Sequence, residues 1–194
     1  MNESTRRAPG RPRDHQTHEA ILEATRSILL EKGYHRLTFE AVAKAAGTTR
    51  TTVYRWWPTR GTLVLEAAAD NIDIGEVPDT GDSRADIHGA VKQLIATFSD
   101  PLAKIVIMAA VANLDGDMEM ATRFREETVY PWRSTAAAAF ERARQRGDLP
   151  PDSDPTFLLN VIVGTVFQCT VVPASPMLDG LEEGLLDLVL PPEF

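Results

Sequence analysis

The sequence predicts an all-α protein of about nine helices, with a three-helix helix-turn-helix head at the N-terminus and a helical bundle behind it. Three observations predict it. Apolar residues recur three and four apart along most of the 194 residues. Helix-starting signals punctuate the chain, among them Asp100-Pro101 and Asp154-Pro155, each a cap followed by proline at the first helical position. No stretch shows sustained strand alternation, and no segment repeats.

Residues 1–13 are rich in Arg, Pro and Gly and lack apolar periodicity, which predicts a disordered basic arm. The first helix is expected from about residue 15 to residue 32, with Asp14 as its cap and Gly33 as its stop. Ile21, Ala24, Thr25 and Ile28 share one face of it. Thr38 caps a second helix whose inner face is Phe39, Val42, Ala43 and Ala46, and Gly47 supplies a left-handed stop. Thr49 caps a third helix that ends before Pro58, and Thr59 caps a fourth that reaches about residue 73. The loop with Gly75, Pro78 and Gly81 divides a head, residues 14–73, from a body, residues 82–194. Body helices are expected near residues 83–99, 101–113, 117–146, 155–172 and 179–190, with Pro131 kinking or dividing the longest.

Charge separates the two parts. Residues 1–60 hold eleven Arg/Lys against six Asp/Glu, a net of +5; residues 61–194 hold nine against twenty-two, a net of −13. A basic end on an acidic body suits phosphate binding confined to that end. Cys169 is the only cysteine, so no internal disulfide and no CxxC site is possible, which suits a reducing cytoplasm. The polar, basic N-terminus does not read as a signal peptide. Residues 157–172 form the most apolar run, too short to span a bilayer comfortably and interrupted by Asn160, Gly164 and Gln168. A cytoplasmic protein, associated with the nucleoid when bound, is expected.

The third helix carries the informative pattern. With Val53 at the inward centre and steps of about 100° per residue, Thr51 and Arg55 land on the opposite face, Thr52 and Tyr54 on the flanks, and Trp57 inside. Arg50 stands at the first turn, where a recognition helix meets base edges. Arg pairs with guanine O6 and N7; Thr meets a thymine methyl or a phosphate. Tyr54 suits a phosphate contact through its hydroxyl, or simple packing. Arg60 opens the fourth helix, where backbone N–H groups and a cation together hold phosphate, or it is solvated surface. Trp56 and Trp57 read as packing residues. Arg6, Arg7, Arg11 and Arg13 make a second basic element that suits a minor groove, or adds only nonspecific charge.

At these residues the chain resembles the head of the TetR (tetracycline-repressor-like) family of bacterial regulators. Thr38, Val42, Ala43, Ala46-Gly47, Thr52-Val53-Tyr54, Trp57 and Leu63 match its pattern of capped helix, AG turn, T-[LIV]-Y and aromatic, over residues 15–67. The body is similar more loosely, in helix number and in the RGDLPPDSDP segment at residues 146–155. The resemblance implies a homodimer that binds a palindromic double-stranded DNA operator, usually represses, and is released by a small molecule in the body. It implies DNA contacts from Thr49, Arg50, Thr51, Thr52, Tyr54, Arg55 and Arg60, to which the reading of the residues adds Thr38, Arg11 and Arg13. Two positions depart from the family: Trp56-Trp57 stands where many members carry His-Phe, and Glu40 where some place a basic contact. Glu40 repels phosphate, so the outer face of the second helix is left out of the expected set.

The body has candidates for a pocket and for an interface. Residues 102–114 are apolar nearly all round and should be buried centrally. Large side chains, including Met120 and Phe140, could wall an apolar pocket with anchors such as Asn160; the expected ligand-binding set is Phe98, Met108, Asn113, Phe124, Trp132, Phe167 and Gln168. The alternative is a filled core. Asn160, Gly164 and Gln168 repeat every four residues, and Gly164 permits close approach of another helix. Phe157, Val161, Gly164 and Gln168, with Leu181, Leu185 and Leu188, are therefore expected in a two-fold four-helix interface, unless they are buried within one subunit.

An enzyme is not expected. The four histidines, His15, His18, His35 and His88, have no acidic or Cys partners at metal-ligand spacing, so neither metal nor cofactor is expected. No GxSxG, P-loop or dinucleotide fingerprint is present, and Glu126-Glu127 and Glu182-Glu183 read as solvated faces. A recombinase module needs a nucleophile domain that this helical body does not offer. An activator of the same fold differs from a repressor by operator position, not by sequence.

Overall fold

A computed structural model describes residues 11–72, 75–112, 118–172 and 179–191. Among them are ten α-helices and no strand. The chain forms two compact units, Met1–Ala67 and Ala68–Phe194.

The first unit holds α1 (Arg11–Lys32), a 3-10 turn (Tyr34–Arg36), α2 (Phe39–Ala45), α3 (Arg50–Trp56) and α4 (Arg60–Ala67). Helix α1 begins at Arg11, not near residue 15, so residues 11–13 of the expected arm are helical; residues 1–10, with Arg6 and Arg7, lie outside the described residues. Ile21, Ala24, Thr25 and Ile28 are buried as their spacing requires, and the Thr25 hydroxyl is satisfied by donating to the Ile21 carbonyl at 2.8 Å. Thr38 and Thr49 cap α2 and α3, accepting from the backbone N–H of Ala41 and Thr52. Gly47, at φ 64°, ends α2: Thr48 N–H reaches the Ala43 carbonyl at 2.9 Å and Gly47 N–H the Lys44 carbonyl at 3.4 Å. This paired stop needs a left-handed residue and sets the sharp turn into α3. Ala46 is only half-buried, because it caps α2 and does not continue its inner face.

Helix α4 stops at Ala67, short of the expected residue 73. The chain tightens into a 3-10 turn, Ala69–Asn71, and the Asn71 amide donates to the Asp100 carboxylate at 3.3 Å. That bond is internal to the second unit, so the unit boundary falls ahead of the Gly/Pro loop.

The second unit holds α5 (Ser83–Ser99), α6 (Pro101–Val111), α7 (Met118–Phe124), α8 (Tyr130–Arg146), α9 (Pro155–Thr170) and α10 (Leu181–Val189). Asp82, Asp100 and Asp154 cap α5, α6 and α9. A π-helical turn, Arg125–Val129, joins α7 to α8. Pro131 has no N–H for the carbonyl four residues back, and its ring crowds that carbonyl, so the preceding turn widens while the helix runs on. Helices α5, α8 and α9 pack mutually, with Trp132, Ala136, Ala139 and Phe140 of α8 buried beside Ile87, Val91, Leu159 and Ile162. Helix α10 lies on α5, fastened by Arg84 to Asp187 at 2.6 Å and His88 to Glu182 at 3.1 Å. Helix α6 buries one broad face, but Met108 is half-buried and Val111 exposed, so it is not buried on every side.

Candidate nucleic-acid interface

Helix α3 presents its polar side outward because its apolar side is anchored. Val53 is 0 % exposed beneath it, and Trp57, the residue that ends it, is 2 % exposed. The Trp57 indole N–H donates to the Glu66 carboxylate of α4 at 2.8 Å. The same carboxylate meets His18 of α1 at 3.0 Å, and the His18 ring lies 4.8 Å from Trp57 and 5.2 Å from Trp56. Two other helices thus clamp the end of α3. This clamp was missed in the sequence, although a buried Trp needs a partner for its N–H and so signals one.

Arg50, Thr51, Tyr54 and Arg55 are exposed along the outer side. Thr52 is half-buried, its hydroxyl 2.9 Å from that of Thr49, so these two serve the N-terminal turn of α3 first. Arg55 lies over the Trp56 ring at 5.2 Å, in the last turn, where the helix dipole favours a cation. Arg50 donates to the Tyr54 hydroxyl at 3.0 Å, and the Tyr54 ring stands edge-on to Phe39 at 4.4 Å. The hydrogen bond to Tyr54 holds the Arg50 pKa above its ordinary value, with a smaller contribution from the charge of Glu40.

Arg60 is half-buried. Its guanidinium donates to the Leu37 carbonyl at 2.7 Å and lies 4.8 Å over the Tyr34 ring, so it braces the turn before α2 as well as opening α4. Thr38, Glu40, Arg50, Tyr54, Thr59 and Arg60 together border an open cleft of about 460 Å³. Arg11 and Arg13 lie in the opening turn of α1.

The body candidates are less well gathered. Phe98, Phe124 and Trp132 are buried, Met108 and Phe167 half-buried; Asn113 lies outside the described residues. Phe98 and Phe167 meet edge-on at 6.1 Å. Trp132 instead borders, with Phe140, an apolar gap of about 10 Å³ between α5, α8 and α9, which Phe98, Met108, Phe124, Phe167 and Gln168 do not line. Its indole N–H is buried with no hydrogen-bond partner among the described residues. Gln168 is exposed and so does not serve as an interior anchor, and Asn160 is exposed, accepting from Arg133 at 2.6 Å.

Of the expected interface residues, Phe157, Gly164, Gln168 and Leu188 are exposed and Val161 is half-buried. A Cβ added at Gly164 meets nothing within 4 Å. Leu181 and Leu185 are a correction: both are buried within their own unit. With Leu186 and Val189 they form the stripe that α10 lays on α5, and Leu188 falls on its flank. Among the described residues no group of three or more His, Cys, Asp or Glu could hold a metal, and no single helix is long and apolar enough to cross a membrane.

Residues 21–67 match the bacterial regulatory proteins of the tetR family, and residues 77–189 match the tetracyclin repressor-like C-terminal domain. The uncharacterized HTH-type transcriptional regulator YdeS of Bacillus subtilis (strain 168) is 30% identical over 181 residues, covering 91% of this chain and 89% of YdeS. The crystal structure of the TetR family transcription regulator SCO0332 is 31% identical, with a TM-score of 0.59 over 91% of this chain and 100% of that one. AibR, crystallised with isovaleryl coenzyme A and operator DNA, shares the fold at 20% identity, with a TM-score of 0.65 over 91% of this chain and 99% of its own.

Proposed function

The chain belongs to the tetracycline-repressor-like family of bacterial DNA-binding transcriptional regulators, and from that premise we propose that it is a homodimeric repressor of a palindromic operator, released by a small apolar ligand. One observation carries the reading: Arg50, Thr51, Tyr54 and Arg55 lie exposed along one helix whose opposite side, Val53, is fully buried. In this reading α3 enters the major groove, with Arg50 and Arg55 on base edges. Thr38, Thr49 and Thr52 line the approach to the backbone, Arg60 strengthens the positive cleft beside it, and Arg11 and Arg13 extend the contact toward the minor groove.

The dimer reading is supported by α9, where exposed Phe157, Gly164 and Gln168 recur at helical spacing with half-buried Val161, and by exposed Leu188 on α10. A two-fold mate presents the same face to a second half-site. The ligand reading draws on AibR, whose complex holds both isovaleryl coenzyme A and operator DNA. In this chain Trp132 is its polar anchor, a buried donor beside an apolar gap that a ligand must part α5, α8 and α9 to enlarge. Such work on the protein is what couples ligand binding to a change of state. The regulator works in the cytoplasm, where its operator is.

Selection of bound duplexes from a random pool tests the reading. A palindrome is expected, and Arg50→Ala and Arg55→Ala should each cost about 1–3 kcal/mol of specific affinity. No enriched sequence, or unchanged affinity in both variants, would remove α3 as the reading surface.

A further inference from the structure

We propose that Tyr54 is a positioning residue for sequence reading, whose hydroxyl and ring hold Arg50 in one pose at the DNA surface. The inference rests on the reading of α3 as the recognition helix and goes beyond it. A tyrosine on the flank of such a helix suggests a phosphate contact from sequence alone. The structure gives it a partner inside the protein. The Arg50 guanidinium donates to the Tyr54 hydroxyl at 3.0 Å and lies 5.1 Å from the ring centroid, so one side chain supplies both an acceptor and a π face.

Tyr54 is itself held. Its ring stands at 84° to Phe39, 4.4 Å away, and Phe39 is buried at the start of α2, next to the Thr38 cap. Its backbone follows Val53, which is fixed in the core. A chain of support therefore runs from the head's core through Phe39 and Tyr54 to Arg50. Arg50 needs it, because the first turn of a helix is the positive end of the dipole and disfavours a cation. Glu40, from α2, borders the same cleft and adds a compensating charge. The guanidinium has five N–H donors, so the bond to Tyr54 leaves enough for two acceptors on a guanine edge. An arginine already ordered before contact loses less freedom on binding.

A double-mutant cycle on the full chain tests this, using the duplex enriched from a random pool and the same duplex changed at the base pair read by Arg50. Tyr54→Phe keeps the ring and removes the acceptor. It is expected to weaken the selected duplex roughly three- to tenfold and to narrow its preference over the changed one. In an Arg50→Ala background the same substitution should change affinity by less than about twofold. An equal loss from Tyr54→Phe with and without Arg50, uniform across duplexes, would overturn the proposal in favour of a phosphate contact. No loss at all from Tyr54→Phe would also overturn it. An Arg50→Ala protein that binds like wild type would overturn the base-reading role of Arg50 as well.

Discussion

Two buried tryptophans, one in each unit, show how differently the halves of this protein are built. Trp57 in the head closes α3 with its indole N–H on the Glu66 carboxylate at 2.8 Å. Trp132 in the body is also buried, yet its N–H has no partner among the described residues. The head uses its polar side chains for rigidity: the Thr38 and Thr49 caps, the Glu66 clamp and the Arg60 brace all fix one outward surface. Among the described residues the body leaves the Trp132 N–H without a partner beside an apolar gap, an arrangement that costs stability. Their surfaces differ too. The head exposes Arg50, Thr51 and Arg55; the body exposes Phe157, Val111, Met118 and Leu188. A charged, rigid face suits a polyanion of fixed geometry, whereas exposed apolar side chains suit protein partners.

The largest expected effect lies on the body's outer face. Phe157→Asp combined with Leu188→Asp should yield monomers by sedimentation and lower affinity for a palindromic duplex by two orders of magnitude or more, since two tethered heads gain that much by avidity. Dimers that persist in this variant would move the interface elsewhere. The next comparison is internal. Trp57→Phe and Trp132→Phe remove the same atoms, but only the first removes a hydrogen bond to a charged group. Trp57→Phe should therefore cost about 1–2 kcal/mol more in denaturant unfolding than Trp132→Phe. Equal costs would show that the indole of Trp57 contributes packing alone.

The smallest effect is a pH dependence in the body. Hydrogen bonds from Arg144 and Gln145 hold the Glu141 carboxyl below its ordinary pKa. A depressed carboxylate stabilises the fold above the unfolded pKa, and that contribution fades as pH falls through the folded value. The difference in thermal midpoint between wild type and Glu141→Gln should be small at neutral pH and vanish below the carboxylate range. A difference that grows on acidification would contradict the assigned direction.

Legibility also differed between the units. Thr38, Gly47 and Thr49 marked the turn of the helix-turn-helix, because caps and left-handed stops act over four or five residues. Asp100-Pro101 and Asp154-Pro155 marked two body helices for the same reason. The body's site residues were not legible in this way. Phe98, Met108, Trp132 and Phe167 suit a core and a pocket equally well, and only packing separates those outcomes.

The sequence by itself determined that this is an all-α chain, where most of its helices begin and end, and which stripe of α3 faces outward. Those features depend on capping and on a 3.6-residue period, both local to a segment. Tertiary structure alone decided what each side chain meets: Arg60 on the Leu37 carbonyl 23 residues away, Trp57 on Glu66, and Leu181 and Leu185 buried on the helix that packs on α5. Such pairings join segments distant along the chain, and no local period specifies them.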